Sequence, residues 1–156
     1  YLNKNHEKAL AFDKITIEHL VYSSIKIKSK IVESDEREKN ERKKLNFGHT
    51  IGHALEKITT ISHGKAVSIG IHYATHFSYM KKYITIQDKE KIEMLLLKYN
   101  LPTSIDVDKR LIKKAIKKDK KRSNEYIDFV FLKAIGCALV NRITYNELED
   151  LIDDMR

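Results

Sequence analysis

His49 and His53 stand one helical turn apart, so on a helix both imidazoles leave the same face, and Asn46, three residues before His49, falls on that face too. A third imidazole, His63, follows after a short break within Ser62-His63-Gly64-Lys65-Ala66-Val67. Imidazole is the commonest zinc ligand, and a catalytic zinc takes three protein ligands and keeps one position open. Three imidazoles from two neighbouring elements therefore read as most of a metal site with catalytic groups around it. An H-x-x-x-H pair alone is nonspecific, and the competing reading is a pair of satisfied histidines on a tightly packed helix. Gly48 and Gly52 each immediately precede a histidine. A glycine inside a helix costs about 1 kcal/mol relative to alanine, so something must compensate: close approach of a ligand, a metal or another backbone, for which the missing Cβ leaves room.

The ordered pattern around these histidines is much longer than a motif. Lys28-x-x-Ile31-Val32-x-x-Asp35-Glu36-Arg37-Glu38 leads through Arg42-x-x-Leu45-Asn46-Phe47-Gly48-His49-Thr50-Ile51-Gly52-His53-Ala54-Leu55-Glu56 to His63-Gly64-x-Ala66-Val67-x-Ile69-Gly70. Asp119-Lys120-Lys121 and Phe129-Val130-Phe131-Leu132-x-x-Ile135-Gly136 extend it. The whole resembles 3-dehydroquinate synthase over nearly all of this chain, although it covers only the C-terminal part of that family's protein. The resemblance implies a mainly α, multi-helix C-terminal domain of the dehydroquinate synthase-like fold, with residues 1–156 as one metal- and substrate-binding domain. The family's N-terminal NAD-binding domain is expected to lie outside this sequence.

The family converts 3-deoxy-D-arabino-heptulosonate 7-phosphate into 3-dehydroquinate and phosphate in the shikimate route to chorismate and aromatic amino acids. Its cofactors are zinc, or another divalent metal such as cobalt, and NAD, which transiently oxidises a ring hydroxyl and is regenerated in each turnover. Carried over position by position, His49 and His63 match two zinc ligands, and His53 matches a histidine that contacts substrate and moves protons. The third ligand, a glutamate, would precede Tyr1. Lys28, Glu38, Arg42 and Asn46 match substrate-binding and catalytic positions, and Lys120 or Lys121 matches a lysine that reaches an anionic substrate group. The substrate carries a carboxylate and a phosphate, which Arg and Lys are suited to neutralise. The resemblance also implies a homodimer and a cytoplasmic lyase. The isolated chain is expected to be inactive and to bind zinc only weakly, because its ligand set is incomplete.

Two departures stand out. Position 65 is lysine where the family usually has glutamate, reversing a charge beside a proposed ligand. The spacer between His53 and His63 is short for the family and reads as a trimmed loop.

Positioning these groups falls to helices. One Pro, five Gly and abundant aliphatics and lysines at helical spacing predict helices over 14–33, 46–58, 64–82, 87–99, 108–120 and 145–155. Thr144 and Glu147 resemble a capping box, and Asn100-Leu101-Pro102 a stop and restart. Residues 126–140, rich in β-branched and aromatic side chains around Gly136, predict a short strand pair. The charged run from Glu33 to Lys44 reads as a solvated helix end and loop.

The chain opens on Tyr1 without a charged, apolar leader and has no apolar run near the ~20 residues needed to cross a bilayer, so it reads as a soluble fragment without a membrane partner. The lone Cys137 fits a reducing compartment and reads as a small buried thiol. A net charge of +8 with clusters such as Lys113-Lys114 and Lys120-Lys121-Arg122 raises nucleic-acid binding as a rival. No reading motif or stacking aromatics accompany the lysines, and an anionic sugar phosphate accounts for them equally well. A second pair, His72 and His76, has no counterpart in the family pattern and is read as a helix-face coincidence. The remaining alternatives are a sister sugar-phosphate cyclase of the 2-deoxy-scyllo-inosose or valiolone type, a metal-dependent polyol dehydrogenase, and a degenerate domain kept for subunit contacts.

Overall fold

The computed structural model describes residues 1–37, 41–118 and 125–155. Among them the chain runs through a 3-10 turn at Leu2–Lys4, α1 (His6–Leu10), α2 (Lys14–Ser34), a 3-10 segment at Glu41–Asn46, α3 (His49–Ile58), α4 (His63–Met80), α5 (Ile86–Lys98), α6 (Lys109–Lys118), β1 (Tyr126–Ala134), β2 (Cys137–Thr144) and α7 (Tyr145–Asp154). The mainly α expectation holds, and the helix windows agree to within a few residues, except where 46–58 begins.

Local chemistry explains the boundaries. Asp13 caps α2 by accepting from the Thr16 backbone N–H at 2.9 Å and from the Thr16 hydroxyl at 2.7 Å. Thr144 Oγ1 accepts from the Glu147 N–H at 3.1 Å, so the capping pair predicted for α7 forms its Thr half. Helix α5 stops where expected: Asn100 takes φ +53°, its N–H reaches Leu97 O at 2.9 Å, and the Leu101 N–H reaches Leu96 O at 3.0 Å. Those two bonds satisfy the last carbonyls of the helix in a Schellman arrangement, and Pro102 follows.

The strand pair is longer than predicted, reaching Thr144. β1 and β2 are antiparallel, in register from Tyr126↔Thr144 to Leu132↔Ala138, with an irregularity before Ala134↔Cys137. Gly136 closes the turn at φ +87°, a conformation that disfavours a side chain. Cys137, expected to be buried, is exposed because it lies at this hairpin tip.

The hairpin is pressed onto the helices rather than left as an isolated ribbon. Phe129 and Phe131 of β1 pack against each other at 4.7 Å between ring centres, and Phe129 meets Phe77 of α4 at 5.8 Å. Around them gather Ile51 and Leu55 of α3, Ile69 of α4, Ile112 and Ile116 of α6, and Leu148 and Ile152 of α7. A polar tie runs through this core: the buried Ser78 hydroxyl donates to Ala74 O at 2.6 Å and accepts from the Leu132 N–H at 2.9 Å, fastening α4 to β1. Helix α2 stands apart and packs chiefly on the 3-10 segment. Ile15, Val21, Tyr22 and Ile25 are left exposed on it.

Candidate functional site

The site is built where α3 and α4 meet almost backbone to backbone. An ideal Cβ at Gly70 would lie 1.9 Å from Gly48 O and 2.9 Å from Gly52 N, and one at Gly52 would lie 3.2 Å from Val67 Cα. The glycines beside the histidines are thus compensated by the close approach of another backbone. Gly48 is not inside a helix at all: it is the N-cap of α3 at φ +82°. That left-handed residue turns the 3-10 segment into α3, so Asn46 sits on the segment and not, as expected, on the helix face of His49. Both still line one cavity.

This contact draws the three imidazoles together. Ring centres are 5.3 Å apart for His49 and His53, 5.6 Å for His49 and His63, and 6.1 Å for His53 and His63. Two imidazoles bound to one tetrahedral zinc at the usual Zn–N distance place their ring centres about 5 Å apart, so the cluster fits such an ion with small side-chain shifts. His49 Nδ1 lies 3.3 Å from Phe47 O, an oxygen that can only accept. Donation to it uses Nδ1–H and leaves Nε2 as the lone-pair nitrogen. Among the described residues the donor atoms of His53, Glu56 and His63 all converge within 4.8 Å, a trio that does not include His49. Glu56 was not singled out as a ligand from the sequence, although its place three residues after His53 puts it on the same face.

Beside the cluster opens a cavity of about 260 Å³, walled by Asn46, His49, Thr50 and His53 on one side and by Ala115, Ile116, Ile127, Asp128 and Tyr145 on the other. Lys57 also lines it. The sequence signal for Lys57 was present, since it lies one turn beyond His53 on the same face. Asp128 and Tyr145 carried no such signal, because the hairpin and α7 bring them from far along the chain. Asp128 pairs with Lys43 of the 3-10 segment, so a carboxylate at the cavity wall is matched by a cation.

Lys28 is exposed on α2. The Arg42 guanidinium donates to Glu36 O at 2.9 Å and its backbone N–H to Asp35 Oδ2 at 3.1 Å, tying the 3-10 segment to the end of α2. Glu38, Lys120 and Lys121 lie outside the described residues. Lys65, the unusual lysine, lines an open groove with Leu97, Asn100, Leu101 and Pro102, while the histidine cavity has other walls. His72 and His76 face α5: His72 Nδ1 is 3.2 Å from Glu93 Oε1, within ion-pairing distance but misaligned for a hydrogen bond. Burial holds the His72 and His76 imidazoles below their ordinary pKa, with the Glu93 carboxylate opposing the shift.

Fold and site together define a helical domain that gathers imidazoles and a carboxylate beside a cavity of mixed polar and apolar walls, donor types that suit a divalent metal. The chain belongs to the 3-dehydroquinate synthase C-terminal family, whose model matches residues 1–122. It is 40% identical over 152 residues to a 3-dehydroquinate synthase of Thermoanaerobacter pseudethanolicus, covering 95% of this chain and 43% of that protein. A 3-dehydroquinate synthase of Francisella tularensis subsp. holarctica is 33% identical over 162 residues, covering 100% of this chain and 45% of the relative. The chain therefore spans less than half the length of these relatives.

Solved structures agree on the fold. A 2-epi-5-epi-valiolone synthase from Streptomyces hygroscopicus with NAD+ and Zn2+ bound superposes with a TM-score of 0.78 at 15% identity, over 97% of this chain and 44% of that one. A 2-deoxy-scyllo-inosose synthase complexed with carbaglucose-6-phosphate, NAD+ and Co2+ gives 0.63 at 23% identity, over 74% and 35%. No helix among the described residues is long and apolar enough to cross a membrane.

Proposed function

We propose that this chain supplies the metal- and substrate-binding half of a 3-dehydroquinate synthase, which converts 3-deoxy-D-arabino-heptulosonate 7-phosphate to 3-dehydroquinate and phosphate with zinc and NAD. The observation that carries the reading is the gathering of His49, His53 and His63, at 5.3 to 6.1 Å between ring centres, beside a cavity that Asn46 also lines. In this reading His49 and His63 hold the metal, and its third ligand and the NAD site come from the rest of a two-domain enzyme. Relatives more than twice as long as this chain support that division. So does the exposed apolar face of α2, which fits a surface covered in the larger protein.

A divalent metal bound there would act as a Lewis acid on substrate oxygens. The chain's own residues do the rest. Asn46 presents an amide able both to donate to and accept from a hydroxyl. His53, exposed at the cavity and free of the helix interior, is placed to take up and return a proton. Lys57 puts a cation on the cavity wall for an anionic group, and Lys28, Glu38, Arg42 and one of Lys120 and Lys121 complete the substrate contacts. For Arg42 to reach substrate, its guanidinium must release Glu36 O, and a carboxylate or phosphate offers it a bidentate charge-assisted pair.

The test is phosphate release from the heptulosonate phosphate by the intact two-domain enzyme with zinc and NAD. Release should require both cofactors, collapse in His53→Ala and fall sharply in kcat/KM in Arg42→Ala. Activity on sedoheptulose 7-phosphate or glucose 6-phosphate, with none on the heptulosonate, would replace this reading with that of a sister cyclase.

A further inference from the structure

His63 is the first residue of α4, on the far side of the loop from α3, and its side chain is largely exposed. Among the described residues, the hydrogen-bond contact that orients its ring is with Glu56: His63 Nδ1 lies 3.0 Å from Glu56 Oε1, across the loop that joins the last turn of α3 to the first turn of α4. Glu56 is half-buried, so its carboxylate is the better-anchored partner.

We propose that Glu56 is a positioning residue for the metal centre, whose carboxylate accepts the Nδ1–H of His63 and so presents Nε2 to a divalent cation. The proposal deepens the metal assignment above and rests on it only for the cation. A carboxylate can only accept, so the bond selects the Nδ1–H tautomer, whereas an unconstrained neutral imidazole in water favours the other. A carboxylate behind a ligating histidine also fixes the ring's orientation, and losing such a partner costs about 10–100-fold in metal affinity. His49 shows the same logic, with Phe47 O in the accepting role. Both proposed ligands thus offer Nε2, each held from behind by an oxygen.

The rival geometry is that Glu56 binds the cation directly, since its oxygen converges with donors of His53 and His63 within 4.8 Å. Long-range proton–nitrogen NMR of the metal-free protein, at about pH 8 and so above the ordinary imidazole pKa, reads the tautomer without metal or substrate. Wild type should show His63 protonated on Nδ1, Glu56→Ala should shift it to Nε2–H, and Glu56→Gln, which still offers an accepting oxygen, should keep Nδ1–H. Titration with Co2+ should then show about 10–100-fold weaker binding in Glu56→Ala, a smaller loss in Glu56→Gln, and an unchanged visible spectrum of the bound ion in both.

A wild-type His63 protonated on Nε2, or undiminished Co2+ affinity in Glu56→Ala, would overturn the proposal. So would a Co2+ spectrum that reports one ligand fewer in Glu56→Gln, which would make Glu56 itself a ligand. Because the tautomer is read on metal-free protein, an enzyme that turned out to be a sister cyclase would leave this result standing.

Discussion

Gly70→Ala places one methyl group at the tightest point of the molecule. The added Cβ would lie 1.9 Å from Gly48 O and 2.9 Å from both Gly48 C and Gly52 N. A carbon rests about 3.3 Å or more from a carbonyl oxygen, so α3 and α4 must part by more than an ångström, and every clashing atom is backbone that cannot rotate away. Overpacking with movable side chains costs typically 1–3 kcal/mol. Here the cost belongs at or above the upper end, and the better helix propensity of alanine, worth about 1 kcal/mol, is too small to offset it. A net loss of about 2–3 kcal/mol lowers Tm by roughly 4–12 °C for a protein of this size.

The control is Gly64→Ala, six residues earlier in the same helix, where an added Cβ meets nothing within 4 Å. It should stabilise by about 0.4–1 kcal/mol. Both variants are read by urea denaturation with a shared m-value and by Co2+ titration, since moving α3 from α4 separates His49 and His53 from His63. Opposite signs for the two substitutions are the expected result. A Gly70→Ala protein within about 0.5 kcal/mol of wild type would refute the claim that backbone contact sets the α3–α4 distance.

Two further outcomes follow from the polar groups in the interior. Ser78→Ala removes the hydroxyl that receives the Leu132 N–H and leaves that buried donor without its partner, so unfolding free energy should drop by about 1–3 kcal/mol; a change below about 0.5 kcal/mol would mean that another acceptor takes over. For His72 the folded pKa is lowered, chiefly by burial and further by Lys89, against the opposing pull of Glu93. The unfolded chain therefore binds the proton more readily, so this contribution is intact above the ordinary imidazole pKa of about 6.5 and is lost as the pH falls below it. His76, also lowered, acts in the same direction. Denaturation midpoints across this range should show His72→Asn with a flatter acid limb than wild type; an identical slope would place the titration elsewhere.

The proximity of two of the imidazoles was legible because it is local. His49 and His53 are set by helical spacing on α3, and the capping Thr144 and the Asn100 stop by short-range backbone bonding, so residue types a few positions apart suffice to read them. The glycines show where local reading fails. Gly48, Gly52, Gly64 and Gly70 look alike in the sequence, yet one turns the chain at φ +82°, two admit a neighbouring backbone and one borders open space. The difference lies in what another helix brings to each position.

The same limit explains Asn46, which the helical pattern placed on α3 and the left-handed Gly48 returned to a separate segment. Sequence alone determined the family, the helical class and the imidazoles, because those depend on residue identity and on spacings within one element. Tertiary structure decided that Asp128 and Tyr145 would wall the cavity, that Lys65 would face a different groove and that Glu56 would stand behind His63. Each of those placements depends on how elements distant in the chain pack together, and packing is fixed by the shape of whole surfaces rather than by the residues that happen to be adjacent in sequence.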